Sequence, residues 1–197
     1  MNNEEFLTIS IHEYLEDDKE NSEKYLNKLF SEFLCSKNSD VEKFLKERSI
    51  EFTKKHQSVT HLVVSSKTGD LVGYFTLTIK PIKIAMSKFT SSFNRKISRV
   101  AELDEENNMY SLSAYLIAQL GKNFNNQSKD TISGEQLLNL AIDTIKDCQF
   151  TVGGMVVFLE AERNEKLLKF YADNGFNQFD TRQTSTNHEL VQLLKIL

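Results

Sequence analysis

The sequence of 197 residues lacks the segments that usually join domains or cross membranes. It has one proline, and no stretch rich in proline, glycine or serine divides it, so we expect a single domain over residues 1–197. No apolar run approaches the length of a transmembrane helix, and residues 1–10 lack the basic start and apolar core of a signal peptide. We therefore expect a cytoplasmic protein with no membrane partner.

Paired cysteines and an excess of positive charge are also missing. Cys35 and Cys148 have no partner nearby in sequence, which argues against a disulfide framework and suits a reducing compartment. The four histidines are scattered, so we expect no metal site. The net charge of −4 gives no overall attraction to nucleic acids or anionic membranes. The sequence also contains neither a P-loop nor a nucleophile elbow.

The sequence does contain enough apolar residues for a folded core, with 40% hydrophobic and 26% charged residues. Their periodicity predicts strands at Phe6–Ile11, His61–Ser65, Leu71–Ile79, Tyr110–Lys122, Val156–Leu159 and His188–Ile196, and helices at Asp17–Cys35, Ser39–Phe52, Ser133–Ile145 and Glu165–Asp173. Ser39 and Asp40 are the expected caps of the second helix, and Pro81 suits the end of a strand or an edge. A hairpin beside strand–helix–strand units predicts an α/β protein whose mixed sheet has helices on both faces.

The segment from Lys80 to Arg99 is rich in basic residues and contains no acidic one. Its cations are Lys80, Lys83, Lys88, Arg95, Lys96 and Arg99. An acidic run from Glu102 to Glu106 follows it. We interpret residues 80–100 as an insertion with a short basic helix. Its charges either form a solvated face balanced by the acidic run or meet an anionic partner or the phosphates of a cofactor.

The most informative stretch of the sequence is Val156–Phe176. It begins as an apolar strand, becomes polar from Glu160, and then carries leucine and aromatic residues at helical spacing. Asn164 can cap that helix because its side-chain oxygen can accept an otherwise unpaired backbone N–H. Asn174-Gly175 can end it, since glycine tolerates the left-handed conformation common at helix ends. The stretch therefore predicts a strand, a loop, a capped helix and a turn.

This stretch resembles the GNAT N-acetyltransferase superfamily, in which an Asn-capped helix ends in a Phe-Tyr-x-x-x-Gly-Phe pattern. The matching residues here are Phe170, Tyr171, Gly175 and Phe176. The resemblance implies a mixed, mostly antiparallel central sheet of about seven strands flanked by helices on both faces. It also implies transfer of an acetyl group from acetyl-CoA to a primary amine. Dimers are common in the family, so a homodimer is an open expectation.

The resemblance also implies where acetyl-CoA binds. The family holds the pyrophosphate at a loop that opens a helix, and here that loop matches Lys129, Ile132, Ser133 and Gly134, with isoleucine in place of the middle glycine. The preceding strand end would pair with the cofactor through main-chain groups of Leu120 and Lys122, at a β-bulge that Gly121 suits. Asn164 would bind the cofactor as well. The alternative is an ordinary helix start capped by Ser133.

Two residues are candidates for catalysis. The family's tyrosine at the position of Tyr171 is usually assigned as the acid that protonates the departing thiolate. Tyr171 could instead be a core aromatic with its hydroxyl at the surface. Glu160, predicted at the end of its strand, is the candidate general base, with Glu162 in reserve, although a carboxylate on a solvated strand end is the simpler alternative.

Three functions stay open from the sequence. The first is an N-acetyltransferase, and one subfamily of this type consists of toxins that acetylate the amino acid on charged tRNA. The basic segment would suit such an RNA partner, or a protein partner. The second is a catalytically silent GNAT module that binds an acyl-CoA or a protein, which the isoleucine at position 132 favours. The third is an α/β protein with no link to coenzyme A.

Overall fold

The computed structural model describes residues 5–17, 19–125, 130–184 and 187–197. Its strands are β1 Phe6–Ser10, β2 Val59–Ser65, β3 Leu71–Ala85, β4 Glu102–Asp104, β5 Met109–Lys122, β6 Val156–Glu162, β7 Asn177–Gln183 and β8 Glu189–Ile196. Its helices are α1 Ile11–Asp17, α2 Lys19–Ser31, α3 Ser39–Glu47, α4 Ser49–Lys54, α5 Ser91–Ile97, α6 Gly134–Val152 and α7 Glu165–Asp173. Within this part of the chain, no helix is long and apolar enough to cross a membrane.

The strands form a sheet in the order β1-β2-β3-β5-β6-β8-β7, and β4 pairs with β5 beside this path. The pairs β1–β2, β2–β3, β4–β5, β6–β8 and β7–β8 are antiparallel. The expected α/β fold with a mostly antiparallel sheet is confirmed, with eight strands among the described residues instead of about seven. The prediction that β5 is a central strand is confirmed too.

The chain divides into two compact units. The first contains residues Met1–Thr78 and Ile117–Thr144, and the second contains Ile79–Leu116 and Ile145–Leu197. β3, β5 and α6 each run from one unit into the other. Whether the chain behaves as one domain, as the absence of a linker predicts, stays a prediction.

In the first unit, helices cover both faces of β3. Tyr74 is fully buried, packs edge-on against Phe33 at 5.3 Å between ring centroids, and donates its hydroxyl to the Val41 carbonyl oxygen at 2.5 Å. Gly73 points to the opposite face, since neighbouring strand residues alternate, and a Cβ there would lie 3.2 Å from the Leu137 side chain of α6. The helices preceding β2 and the helix α6 therefore lie on opposite faces.

In the second unit, the predicted insertion is a packed part of the core. Ile97 of α5 is fully buried, and it clusters with Ile82 and Ile84 of β3 and with Phe158 of β6. The rings of Phe89 and Phe93 stack against each other, and both pack on the same cluster. The expected short basic helix is confirmed as α5. Because its apolar side is buried, its basic side chains are held outward on a fixed support.

Several predicted boundaries were wrong. The chain is already helical from Ile11, which was predicted as the end of a strand. The helix α3 is capped by Asn38 and not by Ser39 or Asp40, because the Asn38 Oδ1 accepts hydrogen bonds from the N–H groups of Asp40 and Val41. β3 continues through Pro81 to Ala85. β2 does not pair with β3 beyond Leu77, so the N–H that proline lacks is not needed for a hydrogen bond to β2.

The helix α6 continues to Val152 instead of ending at Ile145. Nothing in the sequence between these residues breaks a helix, and the stop is the pair Gly153-Gly154, both with positive φ angles of 79° and 92°. β6 likewise runs on to Glu162, so Glu160 lies inside the strand and not at its end.

Candidate functional site

The strand–helix motif that gave the resemblance folds as predicted. Asn164 caps α7, and its Oδ1 accepts hydrogen bonds from the backbone N–H of Lys166 at 3.0 Å and of Leu167 at 3.2 Å. Gly175 follows the helix with φ of 84°, in the left-handed region. The Lys195 ammonium donates to the Asn174 carbonyl oxygen at 3.0 Å, which helps to satisfy the helix end. Hydrogen bonds therefore hold both ends of α7.

Tyr171 lies on α7 with its ring buried. The ring packs edge-on against Phe170 at 5.1 Å and against Phe176 at 5.8 Å between centroids, and only 8% of the residue is exposed. Its hydroxyl makes no hydrogen bond to any residue that the structure describes. Burial raises the pKa of Tyr171 to about 12, so the phenol stays protonated at neutral pH. The arrangement leaves a positioned O–H available to a ligand.

Glu160 is held by two neighbours. Arg182 donates from Nε to Oε1 at 2.8 Å and from Nη2 to Oε2 at 2.5 Å, and Gln192 donates from Nε2 to Oε1 at 2.8 Å. Burial alone would raise the pKa of Glu160, but the hydrogen bonds from Arg182 and Gln192 and the Arg182 charge outweigh it and lower the pKa below the usual glutamate value. The simpler reading of Glu160 as a solvated strand-end carboxylate is therefore wrong. Glu162 is exposed.

The helix start at Gly134 belongs to the first unit. The Ser133 hydroxyl accepts from the Gln136 N–H at 3.1 Å, and the Gln136 side-chain oxygen accepts from the Ser133 N–H at 2.9 Å. The N–H groups of Gly134 and Glu135 have no acceptor among the described residues. Ile132 is fully buried, so its side chain points into the core. Within the described residues, the predicted phosphate site thus has two N–H groups without an acceptor, beside a turn that Ser133 and Gln136 cap.

The strand end before this loop is tightly packed. Gly121 is buried, and a Cβ there would lie 2.6 Å from Tyr74 Cε1 and 2.6 Å from Val41 Cγ1. Packing against Tyr74 is therefore sufficient to explain this glycine. Leu120 and Lys122 are half-buried, and the Lys122 ammonium lies 5.7 Å from the centre of the Phe124 ring. The bulge stays a prediction, and Lys129 lies outside the described residues.

Two interactions at these positions were missed by the sequence analysis. The pairing of Arg182 with Glu160 depends on strand register, which no local sequence pattern reveals. The bond from Gln136 to Ser133 could have been found, because Ser-x-x-Gln ahead of an apolar run is a capping box.

The basic segment is exposed and unpaired. All six of its cations are exposed, and none forms an ion pair in the part of the chain that the structure describes. In the acidic run, Asp104 accepts from the Asn107 side chain and backbone, and these bonds lower the pKa of Asp104, with a small further contribution from Lys83. The acidic run therefore does not neutralise the segment by direct pairing.

Comparison with known proteins gives similarity in structure only. No family model matches the sequence, and no curated protein does. A tyrosine-to-phenylalanine mutant of the AtaT toxin superposes with a TM-score of 0.63 at 16% identity, covering 98% of this chain and 89% of that one. AtaT complexed with acetyl-methionyl-tRNAfMet gives 0.61 at 15% identity, covering 94% and 93%. A mutant of the KacT toxin gives 0.61 at 19% identity, covering 96% and 95%.

These toxins have the GNAT fold. The chain shares that fold. The similarity extends over nearly the whole described chain, including the first helices, which the sequence motifs did not reach. The fold expected from Phe170, Tyr171, Gly175 and Phe176 is thereby confirmed.

Proposed function

We propose that the protein is an N-acetyltransferase that uses acetyl-CoA as co-substrate. The observation that supports this best is the buried Tyr171, whose protonated hydroxyl has no partner among the described residues. The Tyr171 hydroxyl is not one of the fully enclosed polar atoms that lack a partner, so it keeps some exposure on its buried ring. Its proton can therefore reach a bound ligand. Other AtaT structures are of complexes with acetyl-CoA.

The roles at the cofactor follow the resemblance. Gly134, with the neighbouring loop residues Lys129, Ile132 and Ser133, would bind the pyrophosphate, and the free N–H groups at the start of the long helix α6 suit an anion. Main-chain groups of Leu120, Gly121 and Lys122 would bind the acyl arm, and Asn164 would contribute from the start of α7.

The chemistry asks for one proton donor and one proton acceptor. The amine nitrogen of the acceptor forms a bond to the acetyl carbon, and the bond from that carbon to sulfur breaks. Tyr171 would give its proton to the departing thiolate, and the amine would lose a proton to Glu160, directly or through water. The low pKa of Glu160 makes it a weak base that is always ionised at neutral pH, so orientation matters more than basicity for this role.

We further propose that the acceptor amine belongs to an RNA-linked aminoacyl group. The basic segment supports this, because its six cations are exposed and form no ion pair among the described residues, and such cations attract phosphates. One similar structure is AtaT with acetyl-methionyl-tRNAfMet, and another is a KacTA–DNA complex. We place the reaction in the cytoplasm, where an exposed thiol such as Cys148 stays reduced.

The RNA partner can be tested by salt. Replacing Lys83, Lys88 and Arg95 with glutamine should weaken the binding of aminoacyl-tRNA and make it less dependent on salt. In a plot of the logarithm of the binding constant against the logarithm of the salt concentration, the slope should become shallower by about 0.9 for each phosphate that these side chains no longer neutralise. Replacing Lys46, Lys54 and Lys55, which are ion-paired in the first unit, is the matched control and should change little. Equal effects of the two triple variants would contradict the proposal.

A catalytically silent binding module is the second candidate. The reciprocal bonds between Ser133 and Gln136 favour it, because they already satisfy two groups at the helix start. Such a module would bind an acyl-CoA or a protein, as AtaT binds the C-terminus of its antitoxin AtaR. A measurement of acetyl transfer separates the two candidates, because the acetyltransferase turns over an amine acceptor and the silent module does not. Homodimer formation stays a prediction.

Calorimetric titration with acetyl-CoA and with CoA is the primary test. Binding should be lost in Gly134→Trp, because the indole would cover the two free N–H groups. Asn139→Trp, at an exposed position on the same helix, is the control and should bind normally. Absence of binding by the wild-type chain at millimolar ligand would overturn the acetyltransferase proposal and the acyl-CoA module together.

A further inference from the structure

Glu160, Gln192 and Arg182 form one hydrogen-bonded group across three neighbouring strands. Glu160 on β6 lies directly opposite Gln192 on β8, and Gln192 lies opposite Asp180 on the edge strand β7. Arg182, two residues further along β7, reaches across β8 with both its Nε and Nη2 on the carboxylate. A fork that binds both oxygens of a carboxylate fixes its plane as well as its position.

An irregularity in β7 puts Arg182 on the correct face. The register between β7 and β8 shifts between Gln178 and Asp180, so that Phe179 is extra. Phe179 then packs on Phe158, at 6.5 Å between ring centroids, and Arg182 lies opposite Leu190 on the face of Glu160. Without the shift, Arg182 would point to the other face, since one residue of slip inverts every side chain.

Arg182 is the only positive partner of Glu160 within the described residues. The other titratable groups on these strands are the carboxylates Glu162, Asp180 and Glu189 and the ammonium of Lys195. Glu189 pairs with Arg163, and Lys195 donates to the Asn174 carbonyl oxygen. The cations of α7, the helix that packs on β6, are Lys166 and Lys169, and neither forms an ion pair with Glu160; Lys169 pairs with Asp173. Among the described cations, only the Arg182 guanidinium therefore fixes the orientation of the Glu160 carboxylate.

We propose that Arg182 is a positioning residue, which orients the Glu160 carboxylate from the edge strand so that Glu160 can take the proton of an acceptor amine or of a water between them. This inference rests on the proposed acetyltransferase function. Arg182 does not touch the reacting atoms and acts only through Glu160. Because burial raises the pKa of Glu160 and Arg182 opposes that effect, the pair also determines the pH at which Glu160 loses its charge.

The pH dependence of kcat/KM in Arg182→Gln tests this role. In the wild type, the acidic limb due to Glu160 should lie below pH 4.5, its ordinary value, because the pKa is lowered. Without Arg182, burial dominates and the limb should move up by about 1 to 2 pH units, into the measurable range. Arg182→Lys, which keeps the charge but loses the fork, should move it less. Arg163→Gln, which breaks the ion pair with Glu189, should not move it.

Titration of the Glu160 carboxyl carbon by NMR gives a readout that does not depend on turnover. Its midpoint should rise in Arg182→Gln and stay unchanged in Arg163→Gln. An unchanged midpoint, or a raised midpoint with an unmoved kinetic limb, would overturn the inference. If the wild-type chain turns over no acceptor, the proposed function fails, whereas the carboxyl titration still decides whether Arg182 controls Glu160.

Discussion

Two buried tyrosines, one in each unit, use their hydroxyl groups in opposite ways. Tyr74 is fully enclosed and donates to the Val41 carbonyl oxygen, so its hydroxyl ties α3 to β3. Tyr171 is enclosed almost as well, but its hydroxyl has no partner among the described residues. Burial raises the pKa of both. The difference shows that burial and a raised pKa do not by themselves distinguish a structural tyrosine from a candidate acid, because the two hydroxyls differ only in whether a protein group accepts from them.

The largest expected effect separates the two tyrosines by activity. Tyr171→Phe removes the proposed acid and should lower kcat by about 10²- to 10⁴-fold. The free energy of unfolding should change by less than about 0.5 kcal/mol, because the hydroxyl forms no hydrogen bond within the described chain. Steady-state kinetics and urea unfolding measure the two quantities. Unchanged turnover would remove Tyr171 from the mechanism.

The packing around Tyr74 gives the next effect, on stability. Gly121→Ala would put a Cβ 2.6 Å from both Tyr74 and Val41, so the fold should lose about 1 to 3 kcal/mol. Gly134→Ala, at an exposed helix start, is the control and should not destabilise the protein. Urea unfolding compares them. If Gly121→Ala kept full stability, the close packing of Tyr74 against this strand would be disproved.

Removing only the Tyr74 hydroxyl gives a smaller loss of stability. Tyr74→Phe leaves the Val41 carbonyl oxygen without this donor, which should cost about 1 to 2 kcal/mol of unfolding free energy. Turnover per folded molecule should be unchanged, the reverse of Tyr171→Phe. Tyr25→Phe, at a side chain that is 54% exposed, serves as the control. A loss of kcat in Tyr74→Phe at full folding would erase the contrast between the two tyrosines.

The smallest effect is expected from pH. With the pKa of Tyr171 raised to about 12, its phenol loses the proton only as pH rises through that value, so turnover should not fall on its account up to pH 10. The pH–rate profile of the wild type, compared with that of Tyr171→Phe, measures this. An alkaline limb at pH 10 that vanishes in the variant would mean a tyrosine with its ordinary pKa of 10.0.

Local signals in the sequence predicted the parts of the fold that local interactions determine. The cap at Asn164, the turn at Gly175 and the central strand β5 all follow from residues close together in sequence. The candidate site was predictable to the same extent, since Tyr171 stands in the same motif. The hydrogen-bond partners of the site could not be predicted from the sequence, because the pairing of Glu160 with Arg182 arises from an irregularity in β7.

The errors in element boundaries have a similar origin. β3 passes through Pro81 because its neighbour β2 stops pairing at Leu77, which depends on strands distant in sequence. Asn38 replaced Ser39 and Asp40 as the cap, although all three residue types favour that position. Only the continuation of α6 to Val152 had an overlooked local signal, the glycine pair after it.

The sharing of β3, β5 and α6 by the two units has a consequence for synthesis on the ribosome. Neither unit is one continuous stretch of chain: the first is complete only when Thr144 has emerged, and the second needs Ile79–Leu116 as well as the last part of the chain. The nascent chain must therefore hold strands whose neighbours in the sheet have not yet emerged, such as β5 before β6. A fragment that ends at Thr78 or at Leu116 would leave strand edges without their partners. We therefore expect such shortened products to aggregate instead of folding.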